Sequence, residues 1–459
     1  MEKVPHVLVV SLPAQGHVMP LMEFSHQLVE YGVKVTFVNA EFIHQKLVFT
    51  LLDHKEDQKD RRIHLVSFSD ELDLNDDRTD SQKYVDFMSR DMEVHLEKLI
   101  KKINESGNEK IDCVVADPNL GWGLEFTEKL GIKRAAFWPA SLGFLAFMLH
   151  VPKLVEAGDI DDKGYPLKEE VIRLPHSMPA MSNTDLLCSD GRSDDNTIRE
   201  MLLQYIQNVN KGAKVANWIL CNSFRELEPA SCDFIPNILS IGPLLASEQL
   251  GHPTGHLLPE DSTCITWLDQ QPVQSVVYFA FGSTTTFNQS QFNELVHGLE
   301  LVNRPFLWVV RPGLTDELSP LNSDSFKDTI AYHGKIVSWA PQRKVLAHPS
   351  IACFVTHCGW NSTVDGVSMG VPLLCWPYLA DQFHNRNYIC DIWKVGLRLD
   401  KDENGIITRS EIKTKVQKLL GDEGIRSRAN NFKDMGKRSV SEGGLSSNNF
   451  KDFINWIKF

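Results

Sequence analysis

The sequence contains no apolar run long enough to cross a bilayer, which takes about 20 residues. Its most apolar stretch, "AAFWPASLGFLAFMLHV" (135–151), is interrupted by Pro139, Ser141, Gly143 and His150. Positive charge is also scarce: 47 Lys and Arg stand against 60 Asp and Glu, a net charge of −13. That balance speaks against a nucleic-acid or anionic-membrane partner, and the basic stretch "RSRANNFKDMGKR" (426–438) reads as a solvated helix face. The nine cysteines are odd in number, form no C-x-x-C pair and sit mostly in apolar runs, as Cys113, Cys353 and Cys375 do. Neither a zinc site nor a disulfide framework follows from such a set. An apolar strand begins almost at once in "MEKVPHVLVVSLP", with no room for a signal peptide. The expectation is a soluble, cytoplasmic protein with reduced, buried thiols.

Several catalytic signatures are missing too. There is no G-x-x-x-x-G-K-[ST] phosphate loop and no G-x-S-x-G nucleophile elbow. The nearest dinucleotide fingerprint, "GWGLEF" (121–126), fails at Phe126, which disfavours a nicotinamide dehydrogenase. Asp159-Ile160-Asp161 is literally D-x-D, a pattern metal-dependent sugar transferases use. It sits in a polar loop rather than at a strand end, so it reads as chance.

What is present is a repeated grammar. At 459 residues, 42% apolar and 23% charged, the chain is globular and too long for one ordinary core. Short β-branched runs alternate with helix-length segments, the signature of parallel α/β units. The first half offers strands at 6–12, 33–39, 63–68, 111–117, 134–139 and 218–224, with helices at 18–31, closed by Gly32, and 81–103. The second offers strands at 276–282, 306–311, 335–340, 351–357, 371–377 and 395–400. Between the halves, 241–262 mixes Gly, Pro and Ser without period, a linker composition, and 156–198 reads as a long substrate-side insertion. Two doubly wound domains facing across a cleft are expected, spanning 1–240 and 263–445.

Polar residues gather where such strands end, the edge at which open α/β sheets bind ligands. "HVLVVSLPAQGHVMP" brings Pro13, Gln15, Gly16 and His17 to the end of the first strand. His17 there is a phosphate or hydroxyl contact, a general base or a passive surface residue. "IDCVVAD" ends in Asp117, on a strand able to neighbour the first. An Asp that orients a His and stabilises its imidazolium form makes a competent base for an alcohol proton, and Asp117 can cap the next helix as well. In the second half "FAFGSTTT" (279–286) gives a phosphate turn before a helix at 289–302, although N-capping explains its hydroxyls equally well. "VTHCGWNSTVD" (355–365) repeats the design. His357 and Cys358 are poor metal ligands, because adjacent strand residues point to opposite faces, and Cys358 has no basic partner in sequence to activate it. A histidine donating to a diphosphate, before a helix opened by Gly359, Asn361 and Ser362, fits better.

The stretch "WAPQRKVLAHPSIACFVTHCGWNSTVDGVSMGVPLLCWPYLADQ" (339–382) resembles the signature box of plant family 1 UDP-dependent secondary-product glycosyltransferases. "PAQGHVMP" and "FGS" (281–283) extend the likeness to both halves. The resemblance implies the GT-B fold, with a first domain that holds the acceptor and a second that holds the UDP-sugar. It also implies a C-terminal helix, 446–459, returning to the first domain. Residue by residue, Trp339 would stack on uracil, with Ala340 and Gln342 at base and ribose. His357, Asn361, Ser362 and Ser283 would surround the diphosphate, and Trp360, Asp381 and Gln382 would meet the sugar. Trp360 with a terminal Gln382 is the combination typical of glucose donors. Where the family usually has Glu on the ribose hydroxyls this chain has Asp365, one methylene shorter.

The resemblance thus implies inverting, metal-independent transfer of glucose from UDP-glucose to a hydroxyl of a lipophilic small molecule, by a monomer with no other cofactor. His17 would act as base and Asp117 would fix its tautomer. Another UDP-sugar, an N-, S- or C-nucleophile, and a non-catalytic sugar-nucleotide binder are the alternatives. For the acceptor pocket, "WPASLGFLAFML" (138–149) and "SMPAMSN" (177–183) offer Trp138, Ser141, Phe144, Met148 and Met181, residues that would serve equally as core.

Overall fold

The computed structural model describes residues 4–52, 63–68, 92–105, 110–161, 167, 172, 178–181, 196–244, 257–315 and 319–459. Residues 81–91 of the expected second helix, most of the 156–198 insertion and 245–256 of the linker lie outside these. Two parallel sheets carry the fold. The first contains β1 (His6–Val10), β2 (Lys34–Ala40), β3 (Ile63–Phe68), β4 (Cys113–Ala116), β5 (Lys133–Trp138), β6 (Trp218–Cys221) and β7 (Ile238–Ser240). Their order is β3-β2-β1-β4-β5-β6-β7. The second contains β8 (Val276–Ala280), β9 (Phe306–Val309), β10 (Gly334–Val337), β11 (Ile351–Thr356), β12 (Leu373–Cys375) and β13 (Gly396–Arg398), in the order β10-β9-β8-β11-β12-β13. This is the GT-B architecture: two Rossmann-like sheets, each wound outward in both directions from a central switch point. β7 is not among the expected strands: its short apolar run lies between Pro236 and Gly242-Pro243, punctuation that reads as loop.

The central strands β1, β4, β8 and β11 are buried on both sides because helices cover both faces, whereas the edge strands β3 and β10 are partly open. The helix Gln15–Glu30 turns Val18, Leu21, Met22 and Leu28 onto one face of the first sheet at helical spacing. Gly32, at φ +76°, ends that helix in the left-handed conformation glycine adopts freely. The same face receives the last helix, Leu445–Lys458, which buries Phe450, Phe453, Ile454 and Ile457 beside Phe24 and Phe137. Each such side chain contributes about 1.5–3 kcal/mol on burial. Lys133, on β5, donates to the carbonyls of Trp456 and Ile457 at 2.8 and 3.2 Å, where a cation suits the free carbonyls of a helix end.

The facing sides of the two domains share one core. Helix Leu142–Glu156 of the first packs against Tyr388 and His384 of the second, so closely that a Cβ on Gly143 would lie 2.5 Å from each ring. Trp360 and Trp393 reach across in the other direction, donating their indole N–H groups to the carbonyls of Asn222 and Leu227. The run at 135–151 is therefore the end of β5 followed by a buried helix. Among the described residues no helix is long and apolar enough to cross a membrane.

Candidate active site

A cleft of about 1000 Å³ opens between the carboxyl edges of the two sheets and is lined from both. In its first-domain wall β1 and β4 are neighbours, with Val10 opposite Ala116, so the residues just beyond both strands come together. Nδ1 of His17 lies 2.5 Å from Oδ2 of Asp117. The histidine side chain is 21% exposed and the carboxylate fully buried, which leaves Nε2 as the ring nitrogen available to the cleft. The other oxygen of Asp117 accepts from the backbone and side-chain nitrogens of Asn119 at 3.0 and 2.6 Å. Orienting a histidine and capping the turn Pro118–Leu120 are thus done by separate oxygens of one carboxylate.

The second-domain wall is an anion cradle. The helix Trp360–Met369 starts at Gly359 with no side-chain cap, so its first amides are open to a ligand. Cys358 adopts φ +65°, held by a bond from its amide to Thr356 Oγ1 and by Asn385 donating to its carbonyl at 2.9 Å. β11 ends at Thr356, so strand alternation does not govern His357 and Cys358; this left-handed turn sends the thiol into the core and the imidazole to the cleft. The imidazole fills space left by two glycines: a Cβ on Gly282 or Gly359 would fall 2.4 or 2.5 Å from its Nε2. Burial pushes the His357 pKa down to about 4, with Arg311 adding to the effect and the Ala280 backbone opposing it. His357 is therefore a neutral donor near pH 7 rather than a fixed cation.

Arg311, beyond β9, was not singled out by sequence. It donates to the carbonyls of Gly282 and Pro312 at 2.9 and 3.0 Å and to that of Thr285. The guanidinium thereby shapes the Gly282–Thr285 turn, whose Ser283 lines the cleft. Nearby, burial raises Asp381 to about 6, while the Asn385 amide at 2.7 Å and the charge of His17 across the cleft pull it back.

The structure brings Ser283, Trp339, Ala340, Gln342, His357, Trp360, Asn361, Ser362, Asp381 and Gln382 to this cleft. Three details differ from expectation. The indole N–H of Trp360 is taken by Asn222 at 3.0 Å, so the ring cannot donate to a sugar hydroxyl. Gln382 turns its carbonyl oxygen to the amides of Tyr378 and Leu379, leaving only its amide nitrogen for a ligand. Asp365 is set back from the cleft lining, its two oxygens accepting from Gln342 at 2.8 Å and Arg343 at 2.9 Å. Asn361 also spans the domains, donating to the Gly16 carbonyl at 2.8 Å.

Of the acceptor residues, Phe144 and Met148 line the cleft and Trp138, Ser141 and Met181 do not. Trp138 is core, with its N–H on the Ser141 carbonyl at 2.7 Å, and Ser141 caps the helix that follows. Met181 is fully buried beside Ile172. Met19, Phe42, Ile43 and Tyr205 join Phe144 and Met148 on the apolar wall of the first domain. The position of "EFIHQK" immediately after β2 was the signal for two of them. Among the described residues no three His, Cys, Asp or Glu side chains converge as a metal site.

The chain as a whole is similar to known proteins. A model of the UDP-glucoronosyl and UDP-glucosyl transferase family matches residues 6–432. UDP-glycosyltransferase 83A1 of Arabidopsis thaliana is 40% identical over 99% of this chain and 97% of its own length. Linamarin synthase 1 of Manihot esculenta is 32% identical over the same shares. Among solved structures, a Polygonum tinctorium UDP-glucosyltransferase capable of glucosylating indoxyl, in complex with 3,4-dichloroaniline, superposes with a TM-score of 0.82, 28% identity and all of both chains covered. Phytolacca americana UGT2 with UDP-2fluoro-glucose and pterostilbene gives 0.80 at 27% identity, covering 99% of this chain and 100% of that one.

Proposed function

The chain belongs to the UDP-glucoronosyl and UDP-glucosyl transferase family and is a UDP-glycosyltransferase, and on that premise we propose that it transfers glucose, with inversion, to a hydroxyl of a small lipophilic acceptor. The observation that carries this reading is the His17–Asp117 pair at the cleft wall. Nε2 of His17 takes the acceptor's hydroxyl proton as its oxygen attacks the anomeric carbon from the face opposite UDP. The carbon–oxygen bond to the diphosphate breaks and UDP leaves with the electron pair. Asp117 holds the tautomer that keeps Nε2 free and stabilises the imidazolium that forms.

The leaving diphosphate is met by the open amides of Trp360–Met369, by the Gly282–Thr285 turn and by neutral His357, a reading that routes no step through a metal or other cofactor. Glucose is favoured by the Trp360–Gln382 combination and by the glucosyl donors named with the Polygonum and Phytolacca structures. Met19, Phe42, Ile43, Phe144 and Met148 supply the apolar wall a phenol or terpenoid alcohol needs. Incubation with UDP-glucose, UDP-galactose and UDP-glucuronate against a panel of phenols, alcohols, anilines and thiols, read by UDP release and product mass, tests donor and acceptor together. Preference for another donor, or for nitrogen or sulfur acceptors, would overturn it.

A further inference from the structure

Five polar side chains run in one unbroken chain of contacts from the first domain into the nucleoside end of the donor site. Glu23, in the middle of the helix whose N-terminus carries His17, is fully buried and accepts from Nη1 of Arg343 at 2.7 Å. Arg343 is the residue after Gln342, and its Nε donates to Oδ1 of Asp365 at 2.9 Å. Oδ2 of Asp365 accepts from Nε2 of Gln342 at 2.8 Å, and the Gln342 amide also meets Ser362 Oγ. A carboxylate buried this deeply is tolerated only when it is paired, so Glu23 fixes where Arg343 can be. Arg343 in turn draws Asp365 away from the cleft, and Asp365 fixes which way the Gln342 amide faces. Glu23 and Asp365 lie outside the cleft lining, whereas Gln342 and Ser362 are in it.

We infer that Glu23 and Arg343 are positioning residues for the donor nucleoside: the cross-domain bridge Glu23–Arg343–Asp365 sets the Gln342 amide that reads the ribose. Asp365 serves in this chain as the orienting member of that bridge rather than as the group that holds the ribose hydroxyls. The bridge also ties the two walls together, since Glu23 belongs to the helix that carries His17 and Arg343 to the short helix Gln342–Ala347 that follows Trp339. The inference rests on the reading of Trp339–Gln342 as the nucleoside site.

The test measures binding of UDP and of uridine by calorimetry, with the KM of donor and acceptor, in the full-length protein. The variants are Glu23→Gln, Arg343→Lys and the two together, with Asp365→Glu alongside. Glu23→Gln and Arg343→Lys are each expected to weaken uridine and UDP by the same factor, about tenfold, the size of coupling within a contiguous charged network. The acceptor KM should stay within about twofold, and the double variant should be no weaker than the worse single one. Asp365→Glu should weaken uridine rather than strengthen it. Unchanged uridine affinity in Glu23→Gln with a lowered melting temperature would make the bridge merely structural and overturn the inference. So would tighter uridine binding in Asp365→Glu. If Glu23→Gln fails to fold, Arg343→Lys decides by the same uridine measurement. Failure of the unaltered protein to bind UDP would instead overturn the nucleoside-site reading itself.

Discussion

Gly282 and the ring of His357 share one volume: a Cβ added to the glycine would fall 2.4 Å from Nε2 of the imidazole, at a backbone φ of +68°. Glycine is required twice there, by the left-handed conformation and by the close approach. Gly282→Ala is expected to push His357 off the diphosphate position. UDP affinity should fall about 10-fold to 100-fold, the worth of one hydrogen bond to a charged group, while uridine affinity changes little. Parallel calorimetry with UDP and uridine checks this, and equal losses for both would refute it.

His17→Ala should lower turnover by about 10²–10⁴ and leave UDP affinity intact, because the base acts on the acceptor proton alone. Asp117→Asn should reduce kcat in the same direction. It also exchanges an acceptor for a donor beside Nδ1, which inverts the tautomer and spends Nε2 as a donor. Single-turnover rates together with UDP binding separate these effects from misfolding, and near-full turnover in His17→Ala would end the base assignment.

Asp381 sits at about 6 because burial disfavours its charge. Below that pH it is protonated and accepts less well from sugar hydroxyls; above it, the carboxylate is available. The KM for UDP-glucose should therefore rise as pH falls from 7 to 5, while the affinity for uridine, which carries neither glucose nor a phosphate that titrates near 6, stays flat through the same window. Asp381→Asn should remove the difference between the two profiles.

Glu228 is buried under the start of helix Leu142–Glu156, accepting from the Gly143 amide at 2.9 Å and Ser223 Oγ at 2.6 Å. Burial raises its pKa from 4.5 to about 7. A carboxyl raised in this way favours the folded state fully below its unfolded pKa, and the contribution is lost as pH climbs through about 7. The loss between pH 4.5 and 7.5 is on the order of 3 kcal/mol. Glu228→Gln keeps the shape and both kinds of hydrogen bond, so its melting temperature should depend less on pH than that of the unaltered protein across this range. Identical slopes would show that Glu228 does not govern it.

Much of this was legible beforehand where the signal was local. β3 falls on the apolar run at 63–68 and the helix Gln289–Val302 on the stretch after the Gly-Ser turn, because each is announced by its own residues. His17 and Asp117 were findable because two strand ends in a parallel sheet share one edge. What stayed hidden depends on partners distant in sequence. Trp360 reaches the cleft as expected, yet its indole N–H is held by Asn222, 138 residues away, which leaves only the ring for a ligand. Trp138, Ser141 and Met181 had the right character for an acceptor wall, but Trp138 ends β5 with its N–H on the Ser141 carbonyl, Ser141 caps the helix that follows, and Met181 is bridged to Ile172, placements that residue character alone does not encode. Asp365 was seen as a departure, yet what it does instead is set by Arg343 and, through it, by Glu23 in the other domain.

The helix Leu445–Lys458 lies on the sheet that holds the first strand of the chain. During synthesis, β1 to β7 emerge long before that cover exists, and the Phe24–Phe137 face must wait through the whole second domain for Phe450 and Phe453 to arrive. The second domain meets the first as it is made and closes the core they share, whereas the far side of the first waits for the last helix. A chain released without residues 445–459 would leave the first domain with one greasy side open, the condition in which chaperones and proteases compete for a polypeptide.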